Sequence, residues 1–84
     1  MSVYVIISDT ITNDYESHGL HGVYATKDKA KKHAIASILG TAKSNYINIS
    51  ESDICIDDEY DDIELSYQHD NFEIYVSCIK QEVF

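Results

Sequence analysis

The chain has 84 residues, and 15 acidic residues against six lysines and no arginine give it a formal net charge of −9. A chain of this length predicts a single domain, residues 1–84, with a small core. Its charge repels DNA, RNA and anionic lipid, and it lacks the arginine fork that grips phosphate and guanine, so we expect no direct binding to nucleic acid or membrane.

The first quarter of the chain predicts two strands. Residues 3–8 are apolar on both faces, which is typical of a central strand. Residues 9–19 are polar and predict a loop. Residues 20–25 predict a second, shorter strand, in which Gly22 indicates a bulge or a close backbone approach.

Residues 27–46 predict a helix that begins after the capping residue Thr26. Asp28 in the first turn suits the helix dipole. Gly40 leaves an earlier end as the alternative, because a glycine inside a helix costs about 1 kcal/mol relative to alanine. The apolar residues at helical spacing form one stripe, which we expect to face the sheet: Ala34, Ile35, Ile38, Leu39, Ala42 and Tyr46.

The second half of the chain predicts a hairpin after an irregular segment. Residues 48–62 have no sustained pattern, although a short edge strand around residues 54–57 is an alternative. Residues 63–68 and 72–81 alternate between apolar and polar, with a turn at residues 69–71. The predicted fold is therefore α+β: a small antiparallel sheet in the order β-β-α-β-β, with one helix packed on one face.

One helix covers only one face of such a sheet. We expect the other face to carry Tyr4, Ile6, Tyr24, Tyr75 and Ile79. That is more apolar surface than a small domain usually leaves in water, which favours contact with a partner protein or a second copy of the chain.

The segment from residue 51 to residue 64 concentrates eight carboxylates. One interpretation is a solvated loop that keeps the protein in solution. The other is a surface that imitates nucleic-acid phosphate and enters a basic groove on another protein. Under the second interpretation the partner-binding residues are Glu51, Asp53, Asp57, Asp58, Glu59, Tyr60, Asp61, Asp62, Glu64 and Tyr75.

The same segment only partly matches a calcium loop. Asp53 and Glu64 stand at the first and twelfth positions of an EF-hand loop, but Cys55 occupies the third position and Asp58 replaces the required glycine. We therefore predict no calcium site.

Other chemistry has little support. His18 and His21 form an H-x-x-H pair without a complete set of ligands, and the two cysteines, Cys55 and Cys78, lie outside zinc and C-x-x-C spacings. No sequence motif of a hydrolase, metalloprotease or phosphate-binding loop is present. We predict no metal, no cofactor, no catalytic residue and no enzymatic activity.

The opening residues MSVYVIISDT lack the basic start and the long apolar run of a signal peptide. Together with the two unpaired cysteines, this predicts a cytoplasmic protein with reduced thiols. The abundance of isoleucine, tyrosine, aspartate, asparagine and lysine is typical of AT-rich genomes such as those of phages, in which case the compartment is the host cytoplasm.

A structural pattern links the second strand to the helix. Gly22, Val23, Tyr24, Thr26 and Ala30 place glycine, an apolar residue, an aromatic, a cap and an alanine in sequence. This pattern resembles that of short uncharacterised phage and bacterial proteins over roughly the first half of the chain. In size and charge, the chain is also similar to small acidic phage inhibitors of CRISPR and restriction systems.

The leading hypothesis is a non-enzymatic acidic binding protein, encoded by a phage or mobile element. It would occlude the basic, nucleic-acid-binding site of a host defence or nucleic-acid-handling protein, as anti-CRISPR and DNA-mimic inhibitors do. The alternative is a small cytosolic structural or regulatory domain, monomeric or homodimeric, with no inhibitory role.

Overall fold

The computed structural model describes residues 1–12 and 15–83. It consists of one five-stranded antiparallel sheet with one helix on one face, which confirms the predicted α+β class. The strand order across the sheet is β2-β1-β5-β4-β3. Along the chain the elements are β1 (Ser2–Ile11), β2 (Glu16–Tyr24), α1 (Lys27–Ser44), a 3₁₀ turn (Glu51–Asp53), β3 (Cys55–Asp57), β4 (Ile63–His69) and β5 (Phe72–Glu82).

The short edge strand considered for residues 54–57 is present as β3, so that five strands form the sheet instead of the four in the β-β-α-β-β order. The first two strands are also longer than predicted. Asp9 and Thr10 pair with His18 and Ser17 where the sequence predicts a loop. Ser8 and Thr10 are buried there, and the hydroxyl of Ser8 shares a hydrogen bond with the ring of His21. Of the predicted loop, residues 13 and 14 lie outside the described residues.

The bulge indicated by Gly22 is confirmed. The pairing of β1 with β2 shifts between Ile6 and Ile7, whose partners are Gly22 and Leu20, so His21 is the extra residue. Gly22 has φ +149°, a conformation that side chains rarely adopt, and a Cβ there would lie 3.3 Å from the ring of Tyr24. The sequence needs glycine at this position for both reasons.

The helix begins and continues as predicted. The side chain of Thr26 accepts a hydrogen bond from the amide of Lys29 at 3.2 Å. The helix passes through Gly40, where a Cβ would have open space around it, and ends at Ser44. The Asn45 side chain donates to the carbonyl of Thr41 at 2.8 Å.

Tyr46 does not belong to the buried stripe, and that part of the prediction is wrong. Its φ of 61° turns the chain away from the helix direction, and its side chain is 98% exposed. The helix instead faces the sheet with Ile38 and three small side chains, Ala30, Ala34 and Ala42, all fully buried. Alanine at these positions lets the helix backbone lie close to the sheet.

The core lies between α1 and one face of the sheet. Its buried sheet residues are Ile6, Ile63, Leu65, Phe72, Ile74, Val76 and Cys78, with Ile54 at the rim. Burial raises the pKa of the Cys78 thiol to about 11, which keeps it protonated at neutral pH. Cys78 is thus a fully buried core residue.

The predicted composition of the uncovered face is wrong in three of its five residues. Ile6 is fully buried, and Tyr4 and Tyr24 pack against the same core beneath α1. The reason is register: Ile6 pairs with Cys78, and directly opposed residues share a face. Tyr75 and Ile79, two of the intermediate positions of β5, do lie on the uncovered face.

We expect Ile38→Val to lower the free energy of unfolding by about 0.5–1.5 kcal/mol, because it removes a methylene from a closely packed position. Tyr46→Ser, at an exposed position, is expected to change it by less than about 0.5 kcal/mol. Urea denaturation followed by circular dichroism measures both variants. A larger loss for Tyr46→Ser than for Ile38→Val would contradict the packing described above.

Candidate functional site

The uncovered side of the sheet, which we call the open face, has an apolar half and an acidic half. Along one row of direct cross-strand neighbours, the side chains change from apolar on β2 to acidic on β3. The row consists of Leu20, Ile7, Ser77, Glu64 and Asp57. Strands in a sheet are spaced 4.7–4.9 Å apart, so this row spans about 19 Å. The two kinds of surface are therefore close enough for one partner to contact both.

The apolar half is formed by β2, β1 and β5. Val23, Val5 and Ile79 are direct neighbours across these strands, next to the row that contains Leu20 and Ile7. Leu20 is 68% exposed, Val23 is 56% exposed and Ile7 is 39% exposed. These aliphatic side chains form a continuous patch and are not scattered singly, which is the arrangement that marks interaction surfaces.

The acidic half surrounds a shallow depression of about 260 Å³. Its lining includes Asp57 and Glu64, which are direct cross-strand partners, and the side chains of Cys55, Ser66 and Tyr75. Two carboxylates directly opposed on one face of a sheet repel each other. Their juxtaposition is therefore unfavourable for folding unless a cation lies nearby.

Hydrogen bonds hold two side chains of the depression in place. Glu64 accepts from the hydroxyl of Ser77 at 2.7 Å. The Tyr75 hydroxyl accepts from the Gln68 amide and donates to Glu73 at 3.4 Å. The tyrosine ring is thereby fixed beside the two carboxylates.

The lysines lie on one side of the sheet, whereas carboxylates lie on both sides. Five of the six lysines lie on α1. The sixth, Lys80, follows buried Cys78 by two positions in β5, so the two side chains lie on the same, helix-facing side of the sheet. In the part of the chain that the structure describes, the open face thus carries carboxylates and no lysine. Asp57 and Glu64 form no ion pair with any described residue.

Four more acidic residues of the predicted site lie in a loop, residues 58–62, that lysines hold in place. Lys27 donates to the backbone carbonyls of Asp58 at 3.1 Å and Tyr60 at 2.6 Å. Lys31 forms an ion pair with the carboxylate of Asp58. This hydrogen bond and charge hold the pKa of Asp58 below its usual value and raise the pKa of Lys31.

Lys80 fastens the other end of the loop. Its amide donates to Asp62 at 2.8 Å, and its ammonium lies 3.8 Å from Asp61. Three lysines thus offset part of the loop's negative charge. Asp58 and Asp61 thus have lysine partners, whereas Asp57 and Glu64 have none among the described residues.

The first two acidic residues of the segment lie elsewhere. Glu51 and Asp53 belong to the 3₁₀ turn, where the Asp53 carboxylate accepts from the Ser50 amide at 2.9 Å. The exposed loop residue Glu59 donates its amide to Asp57 at 3.4 Å. The structure therefore divides the predicted partner-binding residues into three groups: the open face (Asp57, Glu64, Tyr75), the fastened loop (Asp58, Glu59, Tyr60, Asp61, Asp62) and the 3₁₀ turn (Glu51, Asp53).

His18 and His21, the two residues of the H-x-x-H pair, contact different side chains. His18 contacts Asp9 and lies 3.2 Å from Glu16, and the hydrogen bond and charge of Asp9 raise the pKa of His18. His21, at the bulge, shares a hydrogen bond with Ser8. Within residues 1–12 and 15–83, no three histidine, cysteine or acidic side chains are grouped so that they could hold a metal ion.

Sequence reasoning expected an apolar surface on the uncovered face and placed Ile79 there, but it missed Leu20 and Val23, although part of their signal was visible. Leu20 and Val23 stand in a segment that predicts a strand, but the bulge between them changes the alternation, so the face of each is not apparent. The position of the lysines on the helix side was easier to see in the sequence, since five of the six lysines fall between residues 27 and 43, within the predicted helix.

Comparison with protein-family models, with curated proteins and with solved structures finds no match to this chain. Among the described residues, no helix has both the length and the apolar character needed to cross a membrane. The function is therefore argued from the surfaces of the chain itself.

We expect Lys31→Met to return the pKa of Asp58 towards 3.8, because the ion pair is the main cause of its lowered value. A lowered folded-state pKa contributes stability above the unfolded value of 3.8, and this is lost as pH falls through the folded value. NMR titration of the Asp58 carboxyl carbon measures the shift. Lys43→Met, in the last helical turn, is the control and should leave Asp58 unchanged; equal effects of both substitutions would contradict the local ion pair.

We expect Asp57→Asn to stabilise the fold by about 0.2–1 kcal/mol, because it removes a like charge directly opposite Glu64. The gain should shrink as salt screens the repulsion. Glu59→Gln, which removes the same charge from the neighbouring loop, serves as the matched control and should have a smaller effect. Urea denaturation at low and high salt measures both, and a destabilised Asp57→Asn variant would show that the pair is not repulsive.

Proposed function

We propose that this chain is a non-enzymatic acidic binding protein that occludes a basic, nucleic-acid-binding site on another protein. In this proposal a phage or mobile element encodes it, it works in the host cytoplasm, and its target is a CRISPR effector, a restriction enzyme or another nucleic-acid-handling protein. The single observation that carries the proposal is the sorting of charge, which gives the molecule an open face with carboxylates and no lysine among the described residues.

This charge distribution favours a cationic partner in two ways. A net charge of −9 steers the chain towards a positively charged cleft and accelerates association at low salt. In the complex, no described lysine of the same chain would compete with the partner's cations for the carboxylates of the open face. The same distribution disfavours nucleic acid itself, because the carboxylates of this face repel phosphate.

The open face also suits a binding role better than catalysis. Tyr75 is fixed by hydrogen bonds, and Asp57 and Glu64 occupy adjacent strands of a sheet, so the surface is formed before a partner arrives. A preformed surface loses little conformational freedom on binding. We interpret the arrangement as a docking surface and not as a pair of carboxylates in divergent environments, which acid–base chemistry requires.

A second candidate function, a small regulatory domain that forms a homodimer, is favoured by the exposure of Leu20 and Val23 on the same face. Its acidity would then only keep the protein in solution. Sedimentation or light scattering at several concentrations distinguishes the two: a stable dimer that buries the open face supports the second candidate.

The proposal is tested by capture from a nuclease-treated bacterial lysate on the immobilised protein, at about 50 mM and about 500 mM salt. We expect a nucleic-acid-binding protein to be retained at low salt, released at high salt and displaced by added duplex DNA. The control is a variant that combines Asp57→Asn with Glu64→Gln, which should retain less. Capture of no partner, or of one indifferent to salt and to DNA, would contradict the proposal.

A further inference from the structure

The depression in the acidic half has the chemistry of a receptor for one cationic side chain. Its walls include two carboxylates, Asp57 and Glu64, that have no lysine partner among the described residues. Tyr75 adds an aromatic ring, which attracts an ammonium or guanidinium group as well as packing against its alkyl stem. A bound cation would also relieve the repulsion between the opposed carboxylates.

The apolar half adds a second requirement for the same partner. Leu20 and Ile7 stand in the same cross-strand row as Glu64 and Asp57, at the other end of about 19 Å. An α-helix of about 13 residues spans that distance. A cationic group alone would leave Leu20 and Val23 in water, whereas an amphipathic segment covers both halves at once.

A second copy of the chain is a poor occupant of this face. Two open faces packed together would bring Asp57 and Glu64 of each copy into one interface, with no lysine of either open face to neutralise them. Burying uncompensated carboxylates is strongly unfavourable. The charges thus select a different protein, and one of opposite sign.

We propose that the open face binds a basic amphipathic segment of a partner protein, with a lysine or arginine in the Asp57–Glu64–Tyr75 depression and aliphatic side chains against Leu20 and Val23. This inference rests on the proposed function and specifies its contact surface. The fastened loop, residues 58–62, is assigned no direct part in recognition, because Lys27, Lys31 and Lys80 already engage it.

Two synthetic peptides test the inference on the full chain. One is an amphipathic helical peptide of about 14 leucines and lysines, and the other replaces its leucines by serines at the same charge. Fluorescence anisotropy measures affinity at low and high salt, and amide NMR shifts locate the contact. We expect the leucine–lysine peptide to bind about tenfold more tightly than the serine–lysine peptide, because it covers the apolar half.

Three double variants separate the contributions. Asp57→Asn with Glu64→Gln should weaken both peptides about tenfold, whereas Glu59→Gln with Asp61→Asn removes the same charge from the loop and should weaken them much less. Leu20→Ser with Val23→Ser should abolish the preference for leucine without weakening the serine–lysine peptide. All six positions are exposed, so the fold is expected to persist, and the amide spectrum of each variant verifies it.

The outcomes separate this inference from the proposed function. Salt-dependent binding with amide shifts confined to residues 58–62, and lost in the loop variant, would overturn the inference and leave an acidic binding protein that uses its loop. Equal affinity for the two peptides would overturn the role of the apolar half. No binding of either peptide at low salt would overturn the inference and count against the proposed function as well.

Discussion

The architecture depends on the burial of one face of α1 against one face of the sheet. Ile38 inserts into the core, and Ala30, Ala34 and Ala42 allow the helix to lie close to β1, β4 and β5. This contact leaves the opposite face of a five-stranded sheet uncovered, because one helix has one apolar stripe. The open face is therefore a direct consequence of how the core is built.

Electrostatics gives the two sides of the sheet different roles. Lysines gather on α1 and at Lys80, where they fasten the acidic loop by contacts with its carboxylates and its backbone carbonyls. These exposed pairs add little stability individually, but together they set where the loop lies. On the other side of the sheet, Asp57 and Glu64 have no lysine partner among the residues that the structure describes.

Stability and recognition make opposite demands on Asp57 and Glu64. In the isolated fold their direct opposition across β3 and β4 is unfavourable. In the proposed complex, a cationic partner would bring the missing charge and make the same pair favourable. Natural proteins often keep locally unfavourable arrangements at binding sites.

The sequence by itself determined the class of fold, the Thr26 cap, the bulge at Gly22 and the hairpin of β4 and β5, because each depends on residues that are near one another in the chain. The alternation of buried and less buried side chains along β5 was also visible in the sequence, since one face of this strand is regularly apolar. The start of β1 is apolar on both faces, so its pattern does not indicate which face is covered. The register of Ile6 with buried Cys78 decides that. Likewise, eight carboxylates in one segment indicated an acidic surface, but the tertiary structure separated those held by lysines from those on the open face. That separation arises from contacts between residues about 20 to 33 positions apart, which local spacing does not encode.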